Sequence, residues 1–208
     1  YLTQEALEVF TKREPDLPHV LAAKMDCQIL EDNDHNSVWL DQIYNPANYL
    51  GQKKMAYEIV DQLDGKIDII GCSVGAGGTL YGLCLGLKDK EIRPSLIFGV
   101  VPNGSERYLD FKKEENDYGE FSASHMKTEL AEAMGLTKWV ENPSIVSEMI
   151  AQGYPDKFFC VSSDEARAMA NRLCHEEGIF CGMSSGANVA VALKLAKRYG
   201  SGKNIVTT

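Results

Sequence analysis

Three glycines and a threonine set the first chemical question. In the run Ile67-Asp68-Ile69-Ile70-Gly71-Cys72-Ser73-Val74-Gly75-Ala76-Gly77-Gly78-Thr79-Leu80-Tyr81-Gly82, an apolar strand-like stretch gives way to a glycine-rich loop and then to a helical pattern. Glycine at 75, 77 and 78 removes side chains where a backbone must turn sharply and aim successive N–H groups at one point. Thr79 can cap the helix and donate its hydroxyl. Gly75, Ala76, Gly77, Gly78 and Thr79 therefore read as a phosphate cradle at a helix N-terminus, where orphan amides and the helix dipole both favour an anion. The spacing departs from two other phosphate loops. A dinucleotide fingerprint wants its third glycine where Leu80 stands, and a P-loop wants a lysine directly after Gly78. A tight strand-to-helix turn that binds nothing would use the same glycines.

A second run has the same construction. Glu176-Glu177-Gly178-Ile179-Phe180-Cys181-Gly182-Met183-Ser184-Ser185-Gly186-Ala187-Asn188 places a glycine-flanked turn ahead of an apolar helix. Its two serines are either helix caps, as in any α/β protein, or hydroxyls offered to a ligand.

Taken together, GAGGT, then EEGIFCGMSSGANVAVALKLAKR, then KNIV closely resemble the cysteine synthase and cystathionine β-synthase group of pyridoxal-phosphate (PLP) enzymes. NPAN at Asn45–Asn48, just before a helix leading to the glycine loop, is similar to theirs as well. The order and approximate spacing agree from about Trp39 to Thr208, apart from the middle segment. The resemblance implies a fold-type-II architecture, of which this sequence is an incomplete copy, and PLP as cofactor. It implies that residues 75–79 hold the cofactor phosphate and that Ser184 shares a hydrogen bond with the pyridine nitrogen. A neutral hydroxyl there does not stabilise a protonated ring as a carboxylate would. The weaker electron sink suits β-elimination or β-replacement on a serine- or cysteine-type amino acid, a transferase or lyase of cysteine metabolism and amino-acid biosynthesis. A homodimer is implied too. Ala76 departs from the threonine usual at its position and removes one hydroxyl donor.

The resemblance also marks what is missing. Neither the Schiff-base lysine motif nor the Thr/Ser-Ser-Gly-Asn loop that grips a substrate carboxylate is found, so the catalytic residue is unassigned. Lys53 and Lys54 follow NPAN in a helical stretch outside the matching context and read as solvent-facing. The family's Gly-Ile-Gly stretch is absent from residues 102–155, where Arg107, Tyr108 and His125 are either substrate contacts or plain loop residues. The opening Tyr1-Leu2-Thr3 matches the Arg-Tyr-Leu that follows the family's last strand, by coincidence or because the chain is permuted or lacks segments. Two functions stay open. One is an enzyme whose lysine lies in further sequence; the other is a non-catalytic regulatory or assembly protein that keeps the fold without it.

Residues such as these must be positioned by a frame, and the pattern along the chain is that of an α/β fold with a mainly parallel, twisted sheet flanked by helices. Strands are expected at Ile67–Cys72, Leu96–Val101, Phe158–Val161 and Asn204–Thr207, and helices at Tyr49–Leu63, Thr79–Lys88, Ser163–Glu177 and Ser185–Tyr199. Ser163 with Asp164 and Glu165 favours a helix start, while Gly178 and Gly200 sit where helix-ending glycines belong. Residues 102–155 suggest short helices at Ser124–Met134 and Ile145–Gln152. Residues 1–36 form a separate uncertain segment: Gln4–Lys12 suits a helix, Val20–Leu30 suits helix or strand, and Glu31-Asp32-Asn33-Asp34 reads as a solvated turn or a weak cation site. Residues 37–208 are expected to form the PLP-binding domain.

Composition narrows the partners. With 44% hydrophobic and 25% charged residues, the 208-residue chain can bury a real core. A net charge of -9 and a pI near 5.0 repel polyanions, which disfavours nucleic acid and acidic membrane surfaces as partners. The six cysteines form no C-x-x-C pair and sit mostly in apolar runs, the usage of buried thiols in a reducing cytoplasm. Cys174 beside His175 is the nearest approach to a zinc pair, and an ordinary helix position accounts for it; no metal site is expected. No apolar run is long enough to cross a bilayer.

Overall fold

The computed structural model describes residues 19–103, 109–113, 120–126 and 144–208. In chain order these form α1 (His19–Asn33), α2 (Ala47–Gln62), β1 (Ile69–Ser73), α3 (Gly78–Asp89), β2 (Leu96–Pro102), β3 (Leu109–Lys113), β4 (Glu120–Met126), α4 (Ile145–Ala151), β5 (Lys157–Val161), α5 (Ser163–Glu177), α6 (Met183–Tyr199) and β6 (Ile205–Val206).

The six strands make one sheet in the order β3-β4-β5-β2-β1-β6. The β5-β2-β1-β6 part is parallel throughout, and β4 and β3 extend it as antiparallel edge strands. Both faces of the parallel part are covered, which is why its strands are almost continuously apolar. Ile70, Cys72, Ile97, Val101 and Phe158 point to one face and meet α2, α3 and α4. Ile69, Phe98, Val100, Phe159 and Val161 point to the other and meet Ala166 of α5 and Val191 and Leu195 of α6. Single-residue alternation along each strand thus feeds two cores.

The glycines of α3 decide how closely α2 lies on it. A Cβ at Gly82 would stand 2.5 Å from Tyr49 O, and one at Gly86 would stand 2.6 Å from Ala56 Cβ. Larger residues at this four-residue spacing would push the helices apart.

The direction of the chain reverses at β1. From β1 it passes through α3 to β2 on one side; after β5 it returns over the opposite face, through α5 and α6, to β6 on the other side. The crevice beyond the carboxyl ends of strands at such a point is where open α/β sheets place ligands.

Several expectations need correction. Ser124–Met126 lies in β4, not at the start of a helix, because pairing to β3 and β5 outweighs local propensity; the remainder of that proposed helix lies outside the described residues. Glu31–Asn33 closes α1, and only Asp34 enters the turn that follows. The ambiguous Val20–Leu30 is helical. The cap of α5 is Ser162, one residue before the expected Ser163, and its side chain accepts from the N–H of Glu165 at 3.1 Å. Gly178 and Gly200 do end their helices, at φ 69° and 77°. The helix suggested at Gln4–Lys12, together with Arg107 and Tyr108, lies outside the described residues.

Candidate functional site

The glycine loop leaves β1 at Ser73 and enters α3 at Gly78. Gly77 is the N-cap, at φ 87° and ψ -7°. A Cβ there would lie 2.7 Å from Val146 Cγ2 and 3.3 Å from Val146 Cα, so both the dihedral and the neighbour demand glycine. Gly75 is exposed, and a Cβ on it would meet nothing within 4 Å. The place a Gly78 side chain would take is filled by the Asn48 carboxamide, itself held by a 2.7 Å bond from Nδ2 to Gln42 O. The NPAN segment therefore packs directly against the first residue of α3.

The first bond of α3 runs from Tyr81 N–H to Gly77 O at 2.9 Å, and no side chain caps this end. The amides of Gly78, Thr79 and Leu80 precede it and have no intrahelical acceptor. Thr79 lies within the first turn, so it is not the cap the sequence suggested; its hydroxyl is a donor beside these amides.

α6 begins in the same way. Its N-cap is Gly182, its first bond runs from Gly186 N–H to Gly182 O at 3.2 Å, and no side chain caps it. Ser184 and Ser185 sit inside the first turn, so the reading of them as helix caps does not hold. Ser184 is exposed. Gly186 is buried against Ala166 O and Ala170 of α5.

Hydrogen bonds join the two open helix ends. Ser73 Oγ lies 3.2 Å from Ser184 O and donates to Asn188 Oδ1 at 2.5 Å. Asn188 Nδ2 donates to Thr208 O at 2.7 Å, and Thr207 Oγ1 donates to Gly71 O at 2.8 Å. Asn188, 2% exposed, is the one buried polar side chain among the described residues. Sequence reasoning quoted Asn188 but gave it no role, and it passed over Ser73. The available signal was a carboxamide at a core position of the apolar pattern GANVAVAL.

The lysines are elsewhere. Lys53 Nζ pairs with Asp89 Oδ2 at 2.5 Å, at the far end of α3, roughly 16 Å along the axis from Gly78. Its hydrogen bond to Asp89 raises its pKa, the opposite of what an amine nucleophile needs. Lys54 is exposed. Burial pushes the Cys72 thiol on β1 up to about 11 and raises Cys84 as well, so neither is a thiolate near neutrality. Among the described residues, no group of three or more His, Cys, Asp and Glu could hold a metal ion, and no helix is long and apolar enough to cross a membrane.

The two ends thus offer uncapped amides with a threonine hydroxyl on one side and uncapped amides with an exposed serine hydroxyl on the other. The family model for pyridoxal-phosphate dependent enzymes matches residues 8–208. The chain belongs to this family. PLP is the family's cofactor. The chain is 33% identical to rat cystathionine β-synthase over 172 residues, 82% of this chain and 28% of that protein. It is 31% identical to cysteine synthase 2 of Schizosaccharomyces pombe over 177 residues, 80% of this chain and 42% of the relative. A crystal structure of cysteine synthase from Entamoeba histolytica superimposes with a TM-score of 0.62 and 24% identity, covering 89% of this chain and 49% of that one. The shared fold is the fold-type-II architecture of PLP enzymes. The chain spans about half, or less, of the length of these relatives. All of them are enzymes, which gives the non-catalytic alternative no support.

Proposed function

We propose that Gly75, Ala76, Gly77, Gly78 and Thr79 hold the phosphate of PLP, that Ser184 meets its pyridine nitrogen, and that the protein catalyses β-replacement or β-elimination on a serine- or cysteine-type amino acid. One observation carries this reading: two glycine-capped helix N-termini, neither with a side-chain cap, are tied together at the carboxyl end of β1. When bound, PLP supplies an electron sink that acidifies the amino acid's α-proton and lets a leaving group depart from its β-carbon.

Each residue's part follows from its own chemistry. The amides of Gly78, Thr79 and Leu80 and the Thr79 hydroxyl donate to phosphate oxygens, and the dipole of α3 adds to the attraction. Gly77 keeps a side chain out of that approach. Ser184 would donate a hydrogen bond to a ring nitrogen that stays unprotonated, which would limit how much charge the ring accepts. With a chain of net charge -9, binding of an anion rests on these local donors rather than on the overall field. We also propose, on the resemblance to cysteine synthases, a homodimer, a cytoplasmic location and a place in cysteine metabolism.

The test uses the full-length protein. PLP uptake is followed by equilibrium dialysis and absorbance, and serine- and cysteine-type amino acids are then supplied with and without a thiol. A thioether product marks replacement; ammonia with a keto acid marks elimination. A protein that takes up no PLP would sink the reading.

A further inference from the structure

We infer that Ser73 and Asn188 are positioning residues that hold the two open helix ends in register, so that a single ligand can engage both. The inference rests on the reading of those ends as the phosphate and pyridine ends of a PLP site.

The orientation of the Asn188 carboxamide is fixed by its partners. A main-chain oxygen such as Thr208 O only accepts, so the amide nitrogen must face it, as the 2.7 Å bond shows. Oδ1 is then left to Ser73, whose single hydroxyl proton must point at it. At 2.5 Å this contact takes the larger share of that proton, and Ser184 O at 3.2 Å takes the weaker arm of a three-centre bond. The hydroxyl thereby spans β1 and α6, touching residues 111 and 115 positions away in sequence.

Stability alone does not call for this arrangement. Asn188 occupies a buried position on α6 beside Ala190 and Val191, where alanine has the better helix propensity and no amide to desolvate. The remaining contacts of α6 with the sheet are apolar ones through Val191 and Leu195, which tolerate small shifts along the strand direction. A buried carboxamide is different, because moving it leaves a donor or an acceptor unpaired. The network therefore admits one placement of Ser184 relative to the loop that follows Ser73.

The test compares Asn188→Ala, Ser73→Ala and the double variant of the full-length protein, using PLP and inorganic phosphate as probes. Phosphate engages only the α3 end; PLP engages both ends. Each single variant should weaken PLP by about tenfold, the worth of one buried hydrogen bond, and the double should lose little more, since both break the same bond. Phosphate affinity should change by less than about twofold, and Ser73→Thr, which keeps the hydroxyl, should restore PLP binding. If PLP and phosphate weaken together in step with a fall in Tm, the network is only structural and the inference is overturned. Unchanged PLP affinity in both single variants overturns it as well. Ser73→Ala leaves the Asn188–Thr208 bond in place and carries the test should Asn188→Ala not fold. Failure of the wild type to bind PLP would instead remove the functional reading, and the positioning role with it.

Discussion

The helices of this protein begin in two different ways. Ser144 caps α4 by accepting from Ser147 N–H at 3.2 Å and Ser162 caps α5; the N-cap of α2 is Pro46, without a side-chain bond of its own, and Asn45 just before it accepts from Ala47 N–H at 2.9 Å. α3 and α6 begin at Gly77 and Gly182 with no side chain on their amides. A capping oxygen competes for the same N–H groups that an anion or a ring acceptor would use, and a glycine in its place costs about a few tenths of a kcal/mol per helix. Glycine N-caps without a side-chain acceptor mark the two helix ends that meet beyond β1. On the proposed reading, the contrast is between ends finished for stability and ends left open for a ligand.

The largest effect should come from placing a charge at an open end. Gly77→Asp is a poor probe, because any Cβ there strikes Val146 and the φ of 87° strains every non-glycine residue. Gly75 is the better position, since a side chain there meets open space. Gly75→Asp should weaken PLP on the order of a hundredfold through repulsion of the phosphate dianion, while Gly75→Ala stays near wild type. Both variants should melt within about 1 °C of wild type, as expected for an exposed position. Equal PLP affinity in the aspartate and alanine variants would show that the loop is a turn and nothing more.

A smaller effect should follow at the other open end. Ser184→Asp adds a carboxylate to the first turn of α6, where the helix dipole welcomes it, so the apo protein should melt at or slightly above the wild-type temperature. Against the pyridine nitrogen the same carboxylate favours a protonated ring. The absorption maximum of bound PLP should move, and β-replacement should slow by about tenfold. An unchanged spectrum and rate would leave Ser184 without a part in the site.

Much of this was legible in the sequence where one local rule governs. Strand and helix positions in 67–101 and 157–206 follow from short apolar runs alternating with amphipathic stretches, and Gly178 announces its own helix end. The motifs 75–79 and 182–188 were legible because glycine clusters between a strand and a helix have few purposes. Non-local facts were not. The end of β4 was read as a helix because its fate depends on pairing with β3, and β3, Leu109–Lys113, carries too little pattern in five residues to stand out. Thr79 and Ser184 were credited with capping because composition alone does not say on which side of the first turn a hydroxyl falls. Ser73 and Asn188 were missed as a pair because 115 residues separate them and only the sheet order brings them together.

The smallest expected effect is also the sharpest test of the contrast, because it needs no ligand. Ser162→Ala removes the oxygen that accepts from Glu165 N–H and leaves that amide at the start of a 15-residue helix without its cap. The loss should be about 1 kcal/mol, or roughly 2–4 °C in Tm for a chain of this size. Asp164 and Glu165 in the first turn keep their favourable interaction with the dipole, so the loss should not be greater. Ser184→Ala removes the same hydroxyl from the first turn of α6, but no amide of that helix accepts its service, so Tm should move by less than about 1 °C. PLP should reverse the ranking: Ser162→Ala should bind it as wild type does, and Ser184→Ala should bind it more weakly. Melting curves with and without PLP on these two variants therefore separate a serine that finishes a helix from one that faces a ligand. Equal losses of Tm in the apo proteins would mean that Ser184 is serving α6 after all, and the distinction between closed and open helix ends would fail.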